Sequence, residues 1–186
     1  FFLNENEPYF SIIPTTTEYS RNSIFSGLNP LEMSEFETDL WFDKKDGYNN
    51  NEFEFLDRNF KRNNLSVKHS YTKIINHEDG IKFTKKFSDL LKYDFNSIVF
   101  NFIDMLSHAR SENKLFKNLI YDEVSFRSVA KSWFKNSPLS ILLKFLSTKD
   151  VKVFLTTDHG TLRVDKPVLV KGNKETNNNL RFKFGK

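Results

Sequence analysis

The chain has 186 residues, with 28 Lys and Arg against 24 Asp and Glu, for a net charge of +4. That length supports one domain with a real core and is short for two, and the mild basic excess suits an anionic substrate without the dense clusters of a dedicated nucleic-acid binder. Cysteine is absent, which excludes a disulfide framework and Cys-ligated zinc, so any metal must be held by His, carboxylate and hydroxyl groups.

No apolar run approaches the ~18 residues of a membrane helix, and the opening Phe1–Glu5 lacks the basic and long apolar regions of a signal peptide. A cytoplasmic protein is the expectation, with no membrane partner. The sequence does not start with Met and stops at Phe184-Gly185-Lys186 in mid-element; residues 1–186 therefore read as the central part of one domain, cut at both ends. The 21 Phe residues carry no functional weight.

Four short apolar runs predict strands: Phe10–Ile13, Ser66–Tyr71, Ser97–Ile103 and Val151–Thr156. The last two are β-branched, aromatic and nearly continuous, as strands buried on both faces of a parallel sheet are. Helical spacing places Phe53, Leu56 and Phe60 on one stripe, and Phe83, Phe87, Leu90 and Leu91 on another. From Asp122 to Ser147 a longer helical pattern is divided at Pro138. Loops are polar and Asn-rich at Lys44–Asn51 and Asn177–Asn179. Strands alternating with helices predict an α/β layered fold.

The third and fourth runs lead straight into metal-type residues. Asp104 follows Ile103, with His108 four positions on; Asp158, His159 and Gly160 follow Thr157. In open α/β sheets the loops at the carboxyl ends of strands converge on one crevice. On a helix starting near Asp104, the i to i+4 spacing puts Asp104 and His108 on the same side, within reach of one divalent ion. Asp158 and His159, adjacent in a turn, can splay toward two ions or share one. Each motif alone has a plainer reading, Asp104 as a helix N-cap and Asp-His-Gly as a turn. A third element is Pro14–Leu28, where residues Glu18 to Ser26 form a brief helix before Gly27 with Thr17 as its cap. That helix start can cradle a phosphate beside a hydroxyl, or Thr17 can simply cap it. His69 and His77 read as structural or solvated.

A Thr-containing turn, then Asp-x-x-x-His, then Asp-His-Gly resembles the alkaline-phosphatase superfamily. The segments Tyr19–Leu28, Asn101–His108 and Thr157–Val164 resemble its PglZ branch, closest to the output domain of PorX-type response regulators. The likeness extends to Ser132-Trp133-Phe134 and Asn179–Lys183. It implies an α/β/α sandwich with a largely parallel central sheet, present here in part, and a two-metal phosphoester hydrolase acting on oligonucleotides or related diesters. It further implies Thr17 as nucleophile and ligand of one ion with Asp158 and His159, Asp104 and His108 on the second ion, and zinc as the metal. An upstream receiver domain, a homodimer and a link to type nine secretion belong to the same picture.

The family pattern also calls for an Asp before the nucleophile and a His after Asp-His-Gly; Asp39 is the first Asp here and no His follows His159. Weak metal binding and little activity are therefore expected of residues 1–186 taken by themselves. Two ions can stabilise the attacking and leaving oxygens of an in-line displacement at phosphorus, and coordination favours the alkoxide of Thr17. Asn22, Arg21 and Arg110 are the nearest polar groups for non-bridging oxygens, though either Arg can equally serve a surface ion pair. A non-catalytic, dimerising or partner-binding output domain is the alternative from another class, and a sulfatase-like or phosphomonoesterase activity would use the same core.

Overall fold

The computed structural model describes residues 8–13, 15–41 and 50–160. They fall into two compact units, one holding the described residues up to Ser66 together with those from Phe154 onward, the other Val67–Val153.

In the first unit, α1 spans Thr17–Ser26, α2 Pro30–Phe36 and α3 Glu52–Arg62. Helix α1 stops at Gly27, whose φ of 66° and N–H to Ser23 O form a left-handed cap. The torsion favours glycine, and a Cβ there would lie 2.9 Å from Asn59 Oδ1 and push that amide aside. Helix α2 starts with Pro30 and a reciprocal capping box between Asn29 and Glu32. Phe25, Met33, Phe55 and Leu56 form the buried apolar residues of this unit. Helix α3 faces inward with Phe55 and Leu56 while Phe53 is exposed, which corrects the stripe expected from the sequence. Polar ties reinforce the packing: Asn59 Nδ2 donates to Phe25 O at 3.0 Å and Arg62 donates to Ser26 O. Buried Glu37 accepts from Arg58 at 2.7 Å and from Arg62 at 3.2 Å. Arg58 also grips Asp39 through both its terminal nitrogens, at 2.8 and 2.5 Å.

In the second unit, β1 (His69–Ile74) and β2 (Phe95–Phe100) run parallel in the register His69↔Phe95 to Ile74↔Phe100. Parallel partners need a crossover, supplied by α4 (His77–Thr84) and α5 (Phe87–Leu90). After β2 come α6 (Phe102–Glu112), α7 (Lys114–Leu119), α8 (Glu123–Asn136) and α9 (Pro138–Leu146). Asp122 caps α8 through the Ser125 N–H, and Ser137 caps α9 through the Ser140 N–H, with Pro138 in the first position. The predicted break at Pro138 is therefore observed. Ile74, Phe83, Phe87, Leu90 and Leu142 form the core, with Ile98, Phe100, Phe145 and Leu146 packed against it. Leu91 is exposed, because α5 has ended at Leu90.

The fold is α/β with a small parallel sheet, as the alternating pattern predicts. Both strands are offset from the expected bounds, β1 later and β2 earlier. Phe10–Ile13 and Val151–Thr156 form no strand among the described residues; Phe154 and Leu155 are 88% and 75% exposed. Strand propensity is realised only where a partner and a packed face exist, and these runs have no ladder partner among the described residues. The loop Lys44–Asn51 lies largely, and Asn177–Asn179 wholly, outside the described residues. No described helix is long and apolar enough to cross a membrane.

Gly80 sits inside α4, where a Cβ would fall 2.6 Å from the Pro138 ring carbon Cγ at the start of α9. Alanine is the better helix former by about 1 kcal/mol, but the overlap of packed elements costs about 1–3 kcal/mol. Gly80→Ala should therefore lower the urea midpoint, and a raised midpoint would show that α9 yields freely. In the first unit, Arg58 holds the Asp39 carboxyl below its ordinary value of 3.8, chiefly through their hydrogen bonds. A depressed folded value gives stability that is present above the ordinary range and lost as pH falls through the folded value. Asp39→Asn should accordingly flatten the acid limb of stability against pH below about pH 4, while an unchanged slope would assign that limb to other carboxylates.

Candidate active site

Thr16, not Thr17, occupies the N-cap of α1, with φ −123° and ψ 152°, and its side chain makes no cap bond. Its Oγ1 is buried without a hydrogen-bond partner. Thr17 is the first helical residue, so its hydroxyl is not spent on capping; Oγ1 lies 2.9 Å from His159 Nε2.

The other ring nitrogen decides how that contact works. His159 Nδ1 is 3.1 Å from Gly160 O. A carbonyl can only accept, so Nδ1 carries the proton and, in the neutral ring, Nε2 presents a lone pair. The Thr17 hydroxyl therefore donates to His159 Nε2.

Hydroxyl groups from residues 8–13 hold the histidine segment in place of a ladder. Tyr9 OH meets Thr156 Oγ1 at 2.5 Å and donates to Thr157 O. Two residues on, Ser11 Oγ donates to Asp158 O at 2.7 Å. Its one proton is thereby used, so the buried Ser20 hydroxyl of α1 donates to Ser11 Oγ at 2.9 Å.

Asp158 brings the charge. Oδ1 accepts the His159 N–H at 3.1 Å. Oδ2 is buried without a hydrogen bond, 4.0 Å from His159 Nε2 and 3.2 Å from Arg21 Nη2. Arg21 in turn has Nη1 4.0 Å from Glu52 Oε1. These side chains are 16%, 10% and 2% exposed for Asp158, Arg21 and Glu52. Thr17, Ser20 and Arg21 share one face of α1 by their spacing of three and four.

In the other unit, Asp104 lies in the first turn of α6 and His108 one turn on, with Oδ1 to Nε2 at 3.7 Å. The spacing thus puts them side by side as predicted. Glu112 continues the face, its Oε1 3.5 Å from His108 Nδ1, so the ring stands between two carboxylates. The three groups expected to face phosphate oxygens have partners of their own. Asn22 Nδ2 donates to Glu18 O at 2.8 Å, Arg110 reaches Tyr121 O at 3.5 Å and lies over the Phe126 ring, and Arg21 faces Asp158. Tyr9, Ser11 and Glu52 were not singled out by the sequence; a Tyr and Ser near an apolar run and a Glu opening a helix carry no signal of what they meet over long separations.

Among the described residues, no three His, Asp or Glu side chains gather as a metal cluster. Thr17, Asp158 and His159 nevertheless fit a divalent ion: an unbonded buried carboxylate oxygen, an imidazole lone pair and a hydroxyl lie together, the oxygen and nitrogen donors that zinc accepts.

In this α/β protein, a hydroxyl on the first turn of α1 thus stands beside an imidazole lone pair and a shielded carboxylate. Residues 1–186 match the BREX system PglZ alkaline phosphatase-like domain, and the chain belongs to this PglZ family. It is thereby a member of a phosphoesterase-type superfamily of hydrolases that generally use divalent metals. No curated protein matches the chain.

Ser11→Ala would leave Asp158 O without its donor and the Ser20 hydroxyl without its acceptor. A loss of about 1–3 kcal/mol is expected by urea denaturation, and an effect near zero would show that residues 156–158 are held by other contacts.

Proposed function

We propose that this chain forms the core of a metal-dependent phosphodiesterase in which Thr17 is the nucleophile. The observation that carries the proposal is the Thr17 hydroxyl aimed at the His159 lone pair, beside the unbonded Asp158 Oδ2. Thr17, Asp158 and His159 would hold one divalent ion and Asp104 with His108 a second; zinc suits this nitrogen and oxygen set. Bound there, such ions lower the pKa of a coordinated hydroxyl and offset charge on phosphoryl oxygens.

The residues of the chain supply the rest. The start of α1 presents Thr17 where the helix dipole favours a phosphate. Hydrogen bonding of Nδ1 to Gly160 O keeps the imidazole facing Thr17, and the Tyr9 and Ser11 bonds hold the turn that carries it. Thr17 Oγ1 passes its proton to water and attacks phosphorus, a threonine–phosphorus bond forms, and the bond to the leaving oxygen breaks as that oxygen takes a proton back from water. A water molecule then cleaves the phosphothreonine and restores the hydroxyl. The likeness of Tyr19–Leu28 and Asn101–His108 to PorX-type output domains supports a diester such as an oligonucleotide as substrate. It also supports a place behind a receiver domain in a response regulator tied to type nine secretion, acting in the cytoplasm as a homodimer.

The test uses the full-length protein and a chromogenic phosphodiester. Thr17→Ala should lower turnover at least about a thousandfold with metal content retained, whereas Asp158→Ala should lose metal and turnover together. Unchanged hydrolysis by Thr17→Ala would remove the covalent step, and wild-type protein without metal or turnover would instead support a non-catalytic output module.

A further inference from the structure

We infer that Glu52 is a positioning residue for the Asp158 site: its buried carboxylate takes the charge of Arg21, so that Asp158 can exchange Arg21 for a divalent cation. This rests on the reading of Thr17, Asp158 and His159 as a cation-binding set.

Arg21 is permanently charged and its side chain is only 10% exposed, so it must face carboxylate. It faces two, with Nη2 3.2 Å from Asp158 Oδ2 and Nη1 4.0 Å from Glu52 Oε1. Asp158 Oδ2 makes no hydrogen bond, so the contact with Arg21 is one of charge without directional closure. Arg58 shows the contrast, since it grips Asp39 through two nitrogens at 2.8 and 2.5 Å, the forked geometry that locks a guanidinium to a carboxylate. Arg21 is therefore placed to let go of Asp158.

A divalent ion on Asp158 Oδ2 would stand next to the Arg21 cation. With Glu52 the charges are minus one on Asp158, plus one on Arg21, minus one on Glu52 and plus two on the ion, leaving plus one for a diester monoanion to neutralise. Without Glu52 the group stands at plus two, and Arg21 has only Asp158 among these two carboxylates to pair with. Glu52 is well placed for its charge: it is the first residue of α3, where the helix dipole favours a carboxylate, and its side chain is 2% exposed.

The experiment titrates Zn2+ into metal-stripped full-length protein by calorimetry, for wild type, Glu52→Gln, Glu52→Asp, Arg21→Gln and the double variant Arg21→Gln/Glu52→Gln, with melting temperatures in chelator as a fold control. Glu52→Gln should weaken zinc binding roughly tenfold or more, Glu52→Asp should stay within about threefold of wild type, and Arg21→Gln should tighten it. In the Arg21→Gln background, adding Glu52→Gln should cost clearly less affinity than it does in the wild type, because the competitor that Glu52 holds is gone and only its direct attraction for the ion is lost. An equal loss in both backgrounds, or no loss in either, overturns the role of Glu52 while leaving the metal site standing. Wild-type protein that takes up no zinc overturns the site and this inference together. Should Glu52→Gln fail to fold, Arg21→Gln decides the matter, since zinc affinity no tighter than wild type rules out the exchange.

Discussion

A carboxylate withdrawn from water has to be met by a cation or by donors, and the Asp158 carboxylate is met by Arg21 across 3.2 Å. That requirement organises the unit around it. Arg21 projects from α1 on the same face as Thr17 and Ser20, so the helix that supplies the cation also supplies the candidate nucleophile and the hydroxyl that steadies Ser11. Glu52 at the start of α3 meets the guanidinium from another side. Burying charge in this way is a weak source of stability, because desolvation consumes much of the attraction. Its value lies in fixing where each group stands.

Helix α1 keeps its place through ties at its far end. Gly27 turns the chain under Asn59, whose amide donates to Phe25 O, and Arg62 donates to Ser26 O. These bonds satisfy carbonyls that a helix end leaves open, and they couple α1 to α3, the helix that carries Glu52. The near end is treated differently: Thr16 has cap torsions but its hydroxyl bonds to nothing. The start of α1 thus lacks a side-chain cap, and a helix start is the place where backbone N–H groups and the helix dipole can receive an anion.

Local signals in the sequence carry much of this architecture. Gly27 and Pro138 end and begin helices where their torsions dictate, the alternating runs lead to a parallel strand pair, and the i to i+4 spacing of Asp104 and His108 puts them side by side on α6. What fails is whatever depends on distant partners. Val151–Thr156 has the β-branched and aromatic content of a strand, yet composition cannot supply the neighbouring ladder. Thr17 reads as the cap from the sequence, yet Thr16 holds the cap torsions and Thr17 is the first helical residue. The ties of Ser11 to Asp158 and of Arg21 to Glu52 join residues whose local contexts say nothing of each other. Membership of the PglZ family was legible because several short motifs occur together in order, which no single one of them would establish.

The Tyr9 and Ser11 bonds to residues 156–158 close a span of 147 residues. A loop of that length is slow to close, since its entropy must be given up before the contacts that reward it exist. The chain leaves the ribosome with Thr17, Arg21 and Glu52 already made, while Asp158 and His159 emerge only after the whole Val67–Val153 unit has been synthesised. The candidate nucleophile is therefore the early product and its imidazole and carboxylate the late ones. The site of this unit therefore cannot close before Asp158 and His159 have been made, however early α1 and α3 take shape.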